Sequence, residues 1–187
     1  LYTDQCEYEK GIPHLLQAID IHREVADRRS ECTALGDLGT TYQAVGQTKR
    51  AIEFLNMALD IAREEGNQRI EGVYLGNLGI IFLTRGQFER SIELFTQAVV
   101  IAKKIGHKRS ECINLGGLGN VWYAQRRYQR AIDLFTRALN LAREIGAKHI
   151  EGIYIGNLGD AFAWLQRLEE AEGAFREAIP ICEDTFP

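Results

Sequence analysis

The block Leu35-Gly36-Asp37-Leu38-Gly39 returns as Leu75-Gly76-Asn77-Leu78-Gly79, Leu115-Gly116-Gly117-Leu118-Gly119 and Ile155-Gly156-Asn157-Leu158-Gly159, at a constant period of forty residues. The residues C-terminal to each block keep step. An aromatic stands at Tyr42, Phe82, Trp122 and Phe162, and a small residue at Ala51, Ser91, Ala131 and Ala171. A bulky apolar residue comes next at Leu55, Phe95, Phe135 and Phe175, then Ala58, Ala98, Ala138 and Ala178. A chain with this period stacks units that bury their apolar faces only against their neighbours, so it predicts a solenoid, not a compact enzyme core.

The spacing of Leu75, Leu78-Gly79, Phe82, Ser91 and Phe95, matched in all four units, resembles the tetratricopeptide (TPR) pattern. A TPR unit is commonly about 34 residues and ends near a proline. Here Arg63, Lys103 and Arg143 replace that proline and the unit runs on to a glycine, which lengthens the helices by roughly one turn each. In this long form the sequence is similar to the TPR units of Pins/LGN-type scaffold proteins and of bacterial TPR signalling regulators, and more distantly to kinesin light chain. The resemblance spans residues 27 to 179 and implies an all-α, right-handed superhelical solenoid of antiparallel helix pairs. On this reading, 1–187 is a single TPR array: a partial repeat over 1–26, then repeats at about 27–66, 67–106, 107–146 and 147–187.

Composition narrows the classes. An apolar fraction of 45% and a charged fraction of 26% are those of a globular protein. The formal net charge of -4 argues against a nucleic-acid surface, which needs a clustered excess of Lys and Arg. No apolar run approaches the roughly 18 residues of a membrane span and no signal-peptide pattern opens the chain, so a cytoplasmic location is the expectation. Cys6, Cys32, Cys112 and Cys182 form no C-x-x-C pair. Cys32 and Cys112 share one repeat position with Gly72 and Gly152, which suits small buried thiols and neither disulfides nor metal. Because the chain opens on Leu1 and its one methionine is Met57, it reads as a segment of a longer protein.

Each unit predicts a helix A, a short turn and a helix B. Helix A of the second complete repeat is expected from about Gln68 to Arg85, with Gly86 as its left-handed stop, Gln87-Phe88 as the turn, and helix B running to about Ile105 before Gly106. Arg126-Arg127 and Leu165-Gln166-Arg167 replace the glycine turn in the last two units, at some strain unless another residue turns left-handed. At the start, Ile12, Leu15 and Ala18 fall forty before Ile52, Leu55 and Ala58, as Tyr2 does before Tyr42. This places a helix over about 8–25, Pro13 near its beginning and a mere stub for its partner. Pro180 should end or kink the last helix near Ile179. Such ends favour self-association.

Glycines inside helix A cost about 0.5–1 kcal/mol each relative to Ala and need a packing reason. Gly39, Gly79, Gly119 and Gly159 fall where helix A meets Ala51, Ser91, Ala131 and Ala171. Gly36, Gly76, Gly116 and Gly156 either admit a neighbouring helix or leave room for a ligand backbone. Arg29, Arg69, Arg109 and His149 recur in the first turn of helix A, where the dipole disfavours a cation, and require nearby carboxylates such as Glu31, Glu64, Glu65, Glu71, Glu111, Glu144 and Glu151.

Beside the core stripe runs a second face, and by resemblance to TPR proteins it lines the concave groove. It presents Thr33, Val73, Ile113 and Ile153; Asp37, Asn77, Gly117 and Asn157; Thr40, Ile80, Asn120 and Asp160; then Leu83, Tyr123, Thr84 and Trp164. An asparagine amide can pair with both the N–H and C=O of a peptide residue without reading its side chain. Alternatively, Asn77 and Asn157 bond across to a neighbouring A helix. Pins-like scaffolds often carry arginine where Thr33, Val73, Ile113 and Ile153 stand, so a mixed or amphipathic peptide fits better here than an acidic one. Trp164 is either a binding anchor or packs on a further repeat.

The four histidines have no metal-ligand spacing and no phosphate-binding loop appears, so neither catalysis nor a cofactor is expected. The expected function is a protein-interaction scaffold taking a peptide or partner segment in the groove. The alternatives are a ligand-sensing regulatory array in a larger signalling protein, or a self-association module. Expected contact residues are Asp37, Val73, Asn77, Ile80, Leu83, Thr84, Ile113, Asn120, Tyr123, Ile153, Asn157, Asp160 and Trp164.

Overall fold

The structure, a computed structural model, describes the backbone of residues 2–185 and the side chains of residues 8–181. Readings that fall on the side chains of Tyr2, Cys6 and Cys182 lie outside the described residues. The described residues form nine helices and no strand: α1 (Tyr2–Glu24), α2 (Arg28–Ala44), α3 (Thr48–Glu64), α4 (Gln68–Thr84), α5 (Phe88–Lys104), α6 (Lys108–Ala124), α7 (Tyr128–Glu144), α8 (Lys148–Trp164) and α9 (Leu168–Thr185). This is the all-α solenoid the repeat implies. From α2 to α8 each helix has 17 residues and each turn is three residues long, which divides the period evenly between A and B helices.

The turns share one plan. After α2, Gly46 stands at φ 76°, its N–H bonds to Gln43 O and the Gln47 N–H reaches back to Tyr42 O, which satisfies carbonyls the helix leaves open. Gly66, Gly86, Gly106 and Gly146 repeat it. Where glycine is missing, Arg126 and Gln166 themselves take φ 59°, and Ala26 takes φ 55°. A non-glycine residue there costs about 1–2 kcal/mol, which the packing of each A helix on its B helix sustains. Three A helices are capped by a side chain: Asp27 Oδ1 accepts from Ser30 N at 3.0 Å, Asn67 Oδ1 from Ile70 N at 3.2 Å, and His107 Nδ1 from Ser110 N at 3.2 Å.

Two expectations at the ends are corrected. α1 is one continuous helix from Tyr2, through Gly11 and Pro13, with no turn before residue 8. The position that turns at Gly46 and Gly86 is Cys6, and staying helical there avoids the left-handed cost. α9 likewise does not end near Ile179 but runs past Pro180 to Thr185, since proline removes one N–H from the ladder and leaves the remaining donors in place.

The core runs along the stack as two clusters that meet within α5. Leu35, Leu38, Ala51, Leu55, Ala58 and Leu75 are buried in the first half, and Phe135, Ala138, Ala142, Ile155 and Ala161 in the second. Gly39, Gly79, Gly119 and Gly159 do sit at the A–B contact, and Ser91 Oγ donates to Gly79 O at 2.7 Å. The group that excludes a side chain there is the large one, however. A Cβ would meet Leu55 at 2.7 Å, Phe95 at 3.0 Å, Phe135 at 2.5 Å and Phe175 at 2.6 Å.

Ion pairs tie each B helix to the next A helix, using residues other than the expected arginines. Arg23 meets Glu31 at 2.7 Å, Arg63 meets Glu71 at 3.0 Å, Lys103 meets Glu111 at 3.7 Å and Arg143 meets Glu151 at 3.0 Å. Arg63, Lys103 and Arg143 are the residues standing where a shorter repeat has its proline, so the added turn carries the cation that links the units. Arg28 reaches both Glu31 and Glu64, and Lys108 reaches Glu144. The partners are thus Arg28 and Lys108, one residue before Arg29 and Arg109: the first helical residue faces the preceding B helix.

Candidate functional site

Stacking brings α4, α6 and α8 side by side on one face, and between them opens a cavity of about 440 Å³. Eight expected contact residues line it: Val73, Asn77, Ile80, Leu83, Ile113, Asn120, Ile153 and Asn157. Asp37, Thr84, Tyr123, Asp160 and Trp164 lie outside it. Val73, Ile80, Ile113 and Ile153 are 42%, 41%, 46% and 45% exposed, an unusual outlay of branched apolar side chains on helices that already bury a core stripe. Among the described residues no charged side chain contributes to the wall.

Asn77 and Asn157 are half-buried on the wall and make no side-chain hydrogen bond among the described residues. The bond to a neighbouring A helix that would have made them structural links is not there. Between them the row is broken by Gly117, where a Cβ would lie 2.4 Å from the Phe95 ring. The large Phe95 therefore requires glycine on the next A helix. Asn120, one turn on, is exposed at the cavity edge.

Trp164 belongs to a separate aromatic cluster. Its ring stacks on Tyr128 with centroids 5.7 Å apart, and Tyr128 meets Tyr123 edge-on at 5.4 Å. Burial raises the Tyr123 hydroxyl above the ordinary phenol value, against a hydrogen bond with Trp164 that lowers it and with Asp160 and Tyr128 adding to the rise. Asp37 stands near the first end of the stack; desolvation raises its carboxyl above the usual range. Its backbone carbonyl accepts from Thr40 and Thr41.

The structure adds residues that sequence reasoning did not place at the groove: Gly72, Phe95, Ser110, Asn114 and Tyr154 all reach the cavity. The glycine row explains them. Tyr74 crosses from α4 to α2, lies over Gly36 and donates its hydroxyl to Cys32 O at 3.0 Å; Tyr154 crosses from α8 to α6, lies over Gly116 and donates to Cys112 O at 3.1 Å. Three glycines of this row therefore admit a neighbouring helix, while around Gly156 there is open space. Both tyrosines are raised well above the ordinary phenol value, chiefly by burial. Cys32 and Cys112 are buried free thiols that donate to Ala58 O and Ala138 O at 3.2 Å, and burial raises both.

At the corresponding place between α4 and α6 stands Asn114 over Gly76. Its Nδ2 turns back to Ser110 O at 2.8 Å on its own helix, and its Oδ1 is buried with no partner among the described residues. The alternation of Cys32 and Cys112 with Gly72 and Gly152 was the visible trace of this two-unit pattern in the sequence.

The stacked helix pairs with an apolar inner face define a TPR-class repeat array. The chain belongs to the MalT-like TPR region family, whose profile matches residues 38–186, and a tetratricopeptide repeat profile matches residues 1–64. Comparison with curated proteins gives no match. Among solved structures, BtubC (BKLC) from P. vanneervenii is similar with a TM-score of 0.86 at 20% identity, over 98% of this chain and 76% of that one. A Signal Transduction ATPase with Numerous Domains (STAND) protein with a tetratricopeptide repeat sensor, from Pyrococcus horikoshii, gives 0.84 at 23% identity, over 98% of this chain and 29% of that one. NprR in complex with its cognate peptide NprX gives 0.74 at 21% identity, over 96% of this chain and 52% of that one. At such identities the likeness is one of fold. Among the described residues no helix is long and apolar enough to cross a membrane.

Proposed function

We propose that the chain is a protein-interaction array that takes an extended peptide or partner segment along its inner face, with the repeats at 27–66, 67–106, 107–146 and 147–187 acting as one surface. The observation that carries this reading is an uncharged apolar cavity flanked by two asparagine amides, Asn77 and Asn157, whose hydrogen-bonding groups are unspent. Such amides hold a peptide backbone while Val73, Ile80, Ile113 and Ile153 receive apolar side chains. Successive A helices lie on the order of 10–20 Å apart, and Asn77 and Asn157 stand two A helices apart, so the two clamps are on the order of 20–40 Å apart. That spans about six to twelve residues of an extended ligand at about 3.3 Å each. The NprR–NprX complex shows a similar array taking a peptide. Asp37, Thr84, Tyr123, Asp160 and Trp164 would meet only a segment that runs beyond the cavity.

The test is the double substitution Asn77→Ala/Asn157→Ala, assayed by calorimetry against a segment captured with the full-length protein and mapped. Each clamp is worth roughly 0.5–1.5 kcal/mol net, so affinity should fall on the order of tenfold to a hundredfold with the melting temperature nearly unchanged. A sharply lower melt with intact affinity would make the asparagines structural and remove the basis of the reading.

A second reading, a sensor array within a larger signalling protein, is favoured by the division of the buried core into two clusters that meet within α5. Leu94 and Ala98 face one cluster, and Phe95 and Val99 the other. A ligand bridging α4 and α6 would draw the two halves together and alter the curvature.

A further inference from the structure

The inner face repeats one device and then breaks it. Where α2 meets α4 and where α6 meets α8, a phenol fills the interface: Tyr74 over Gly36 and Tyr154 over Gly116, each hydroxyl bonded to a carbonyl of the facing helix. Where α4 meets α6, the same position holds the shorter Asn114, and Gly76, which faces it, borders the 440 Å³ cavity together with Gly72. That volume lies within the roughly 300–1,000 Å³ typical of ligand pockets.

Asn114 is only 4% exposed, and its Oδ1 has no donor among the described residues. The amide orientation is fixed by the bond from Nδ2 to Ser110 O; the reverse would set oxygen against oxygen. A buried acceptor without a donor carries a free-energy penalty that a ligand N–H or O–H removes.

We propose that this pocket receives a tyrosine side chain of the bound segment, its ring between Val73 and Ile113 and its hydroxyl donating to Asn114 Oδ1, which is sealed against Gly76 in the free protein and is uncovered as the ring enters. The proposal deepens the groove reading by naming the residue the groove selects. The wall chemistry chooses among donors. Lysine and arginine would bring a charge where no carboxylate waits. Serine and threonine would leave the apolar wall uncovered. The fold itself twice uses a phenol at the equivalent place, with the ring against glycine and the hydroxyl on an oxygen acceptor.

The experiment titrates the full chain with p-cresol, the tyrosine side chain alone, and with toluene, which lacks only the hydroxyl, following backbone and Asn side-chain amide signals by NMR. p-Cresol should shift Gly72, Gly76 and the Asn114 amide and bind about three- to tenfold tighter than toluene. In Asn114→Tyr, which supplies the phenol from within, those shifts should vanish. Equal binding of the two probes, shifts confined to other regions, or undiminished p-cresol binding in Asn114→Tyr would overturn the proposal. If that variant fails a circular-dichroism check, Asn114→Leu decides instead: it keeps an apolar wall without the acceptor and should erase the preference for p-cresol. The p-cresol preference over toluene reads Asn114, whereas the captured-segment titration reads Asn77 and Asn157, so failure of the clamp reading is separated from failure of this one.

Discussion

Gly36 and Gly156 occupy one position of the repeat, inside the same kind of helix, yet adding a methyl group should have opposite effects at the two. A Cβ on Gly36 would lie 2.3 Å from the Tyr74 ring and hydroxyl, well inside contact distance. That ring is wedged between α2 and α4 with its hydroxyl on Cys32 O, so it cannot swing away without surrendering the bond. Overpacking costs about 1–3 kcal/mol and the strained or broken bond about 0.5–1.5 kcal/mol. Alanine returns about 0.5–1 kcal/mol through its better helix propensity. Gly36→Ala should therefore destabilise by about 0.5–4 kcal/mol. Gly156 has nothing within 4 Å, so Gly156→Ala should stabilise by the propensity gain alone, about 0.5–1 kcal/mol. Urea denaturation of both variants beside the parent measures the difference. A double-mutant cycle of Gly36→Ala with Tyr74→Ala should show coupling of at least about 1 kcal/mol, because the methyl is tolerated once the ring is gone. Equal effects at the two glycines, or no coupling, would refute the claim that tyrosine packing dictates the first and not the second.

Arg126 holds a left-handed conformation at φ 59°, and glycine would relieve that strain while giving up some chain entropy. Arg126→Gly should stabilise by about 0.5–1 kcal/mol, read as a higher denaturation midpoint. Glu31 and Glu151 are buried carboxylates held below the ordinary range. At Glu31 burial pushes the value up but hydrogen bonds from Arg23 and Arg28 outweigh it; at Glu151 the bond from Lys148 leads, against burial, with Arg143 adding to it. A carboxyl lowered by folding adds stability above its unfolded value and loses it as pH falls through the folded one. The melting temperature should thus fall on acidification below the ordinary carboxylate range, and Glu31→Gln/Glu151→Gln should flatten that dependence. An unchanged slope would mean these pairs contribute nothing net.

The forty-residue period determined the solenoid. A stacked array has only nearest-neighbour contacts, so a local pattern of glycines, aromatics and alanines carries nearly the whole architecture. Helix stops at Gly46, Gly66, Gly86, Gly106 and Gly146 were legible for the same reason, since a left-handed residue announces itself as glycine. The apolar inner face was legible too, because Val73, Ile113 and Ile153 recur on a face distinct from the core stripe. Tertiary structure alone decided what lies between successive A helices. Whether Gly36 faces a ring, Gly76 an amide or Gly156 open space depends on residues some forty positions away crossing an interface; the alternation of Cys32 and Cys112 with Gly72 and Gly152 just before these glycines does not tell an amide from open space. It also decided that Phe95 requires Gly117, that Arg63 and Arg143 reach the next unit, and that one buried oxygen, Asn114 Oδ1, is left without a donor among the described residues. The period states which helices are neighbours. The packed side chains settle how closely neighbours approach, and in a close-packed interior one residue changed from tyrosine to asparagine is the difference between a filled interface and a cavity.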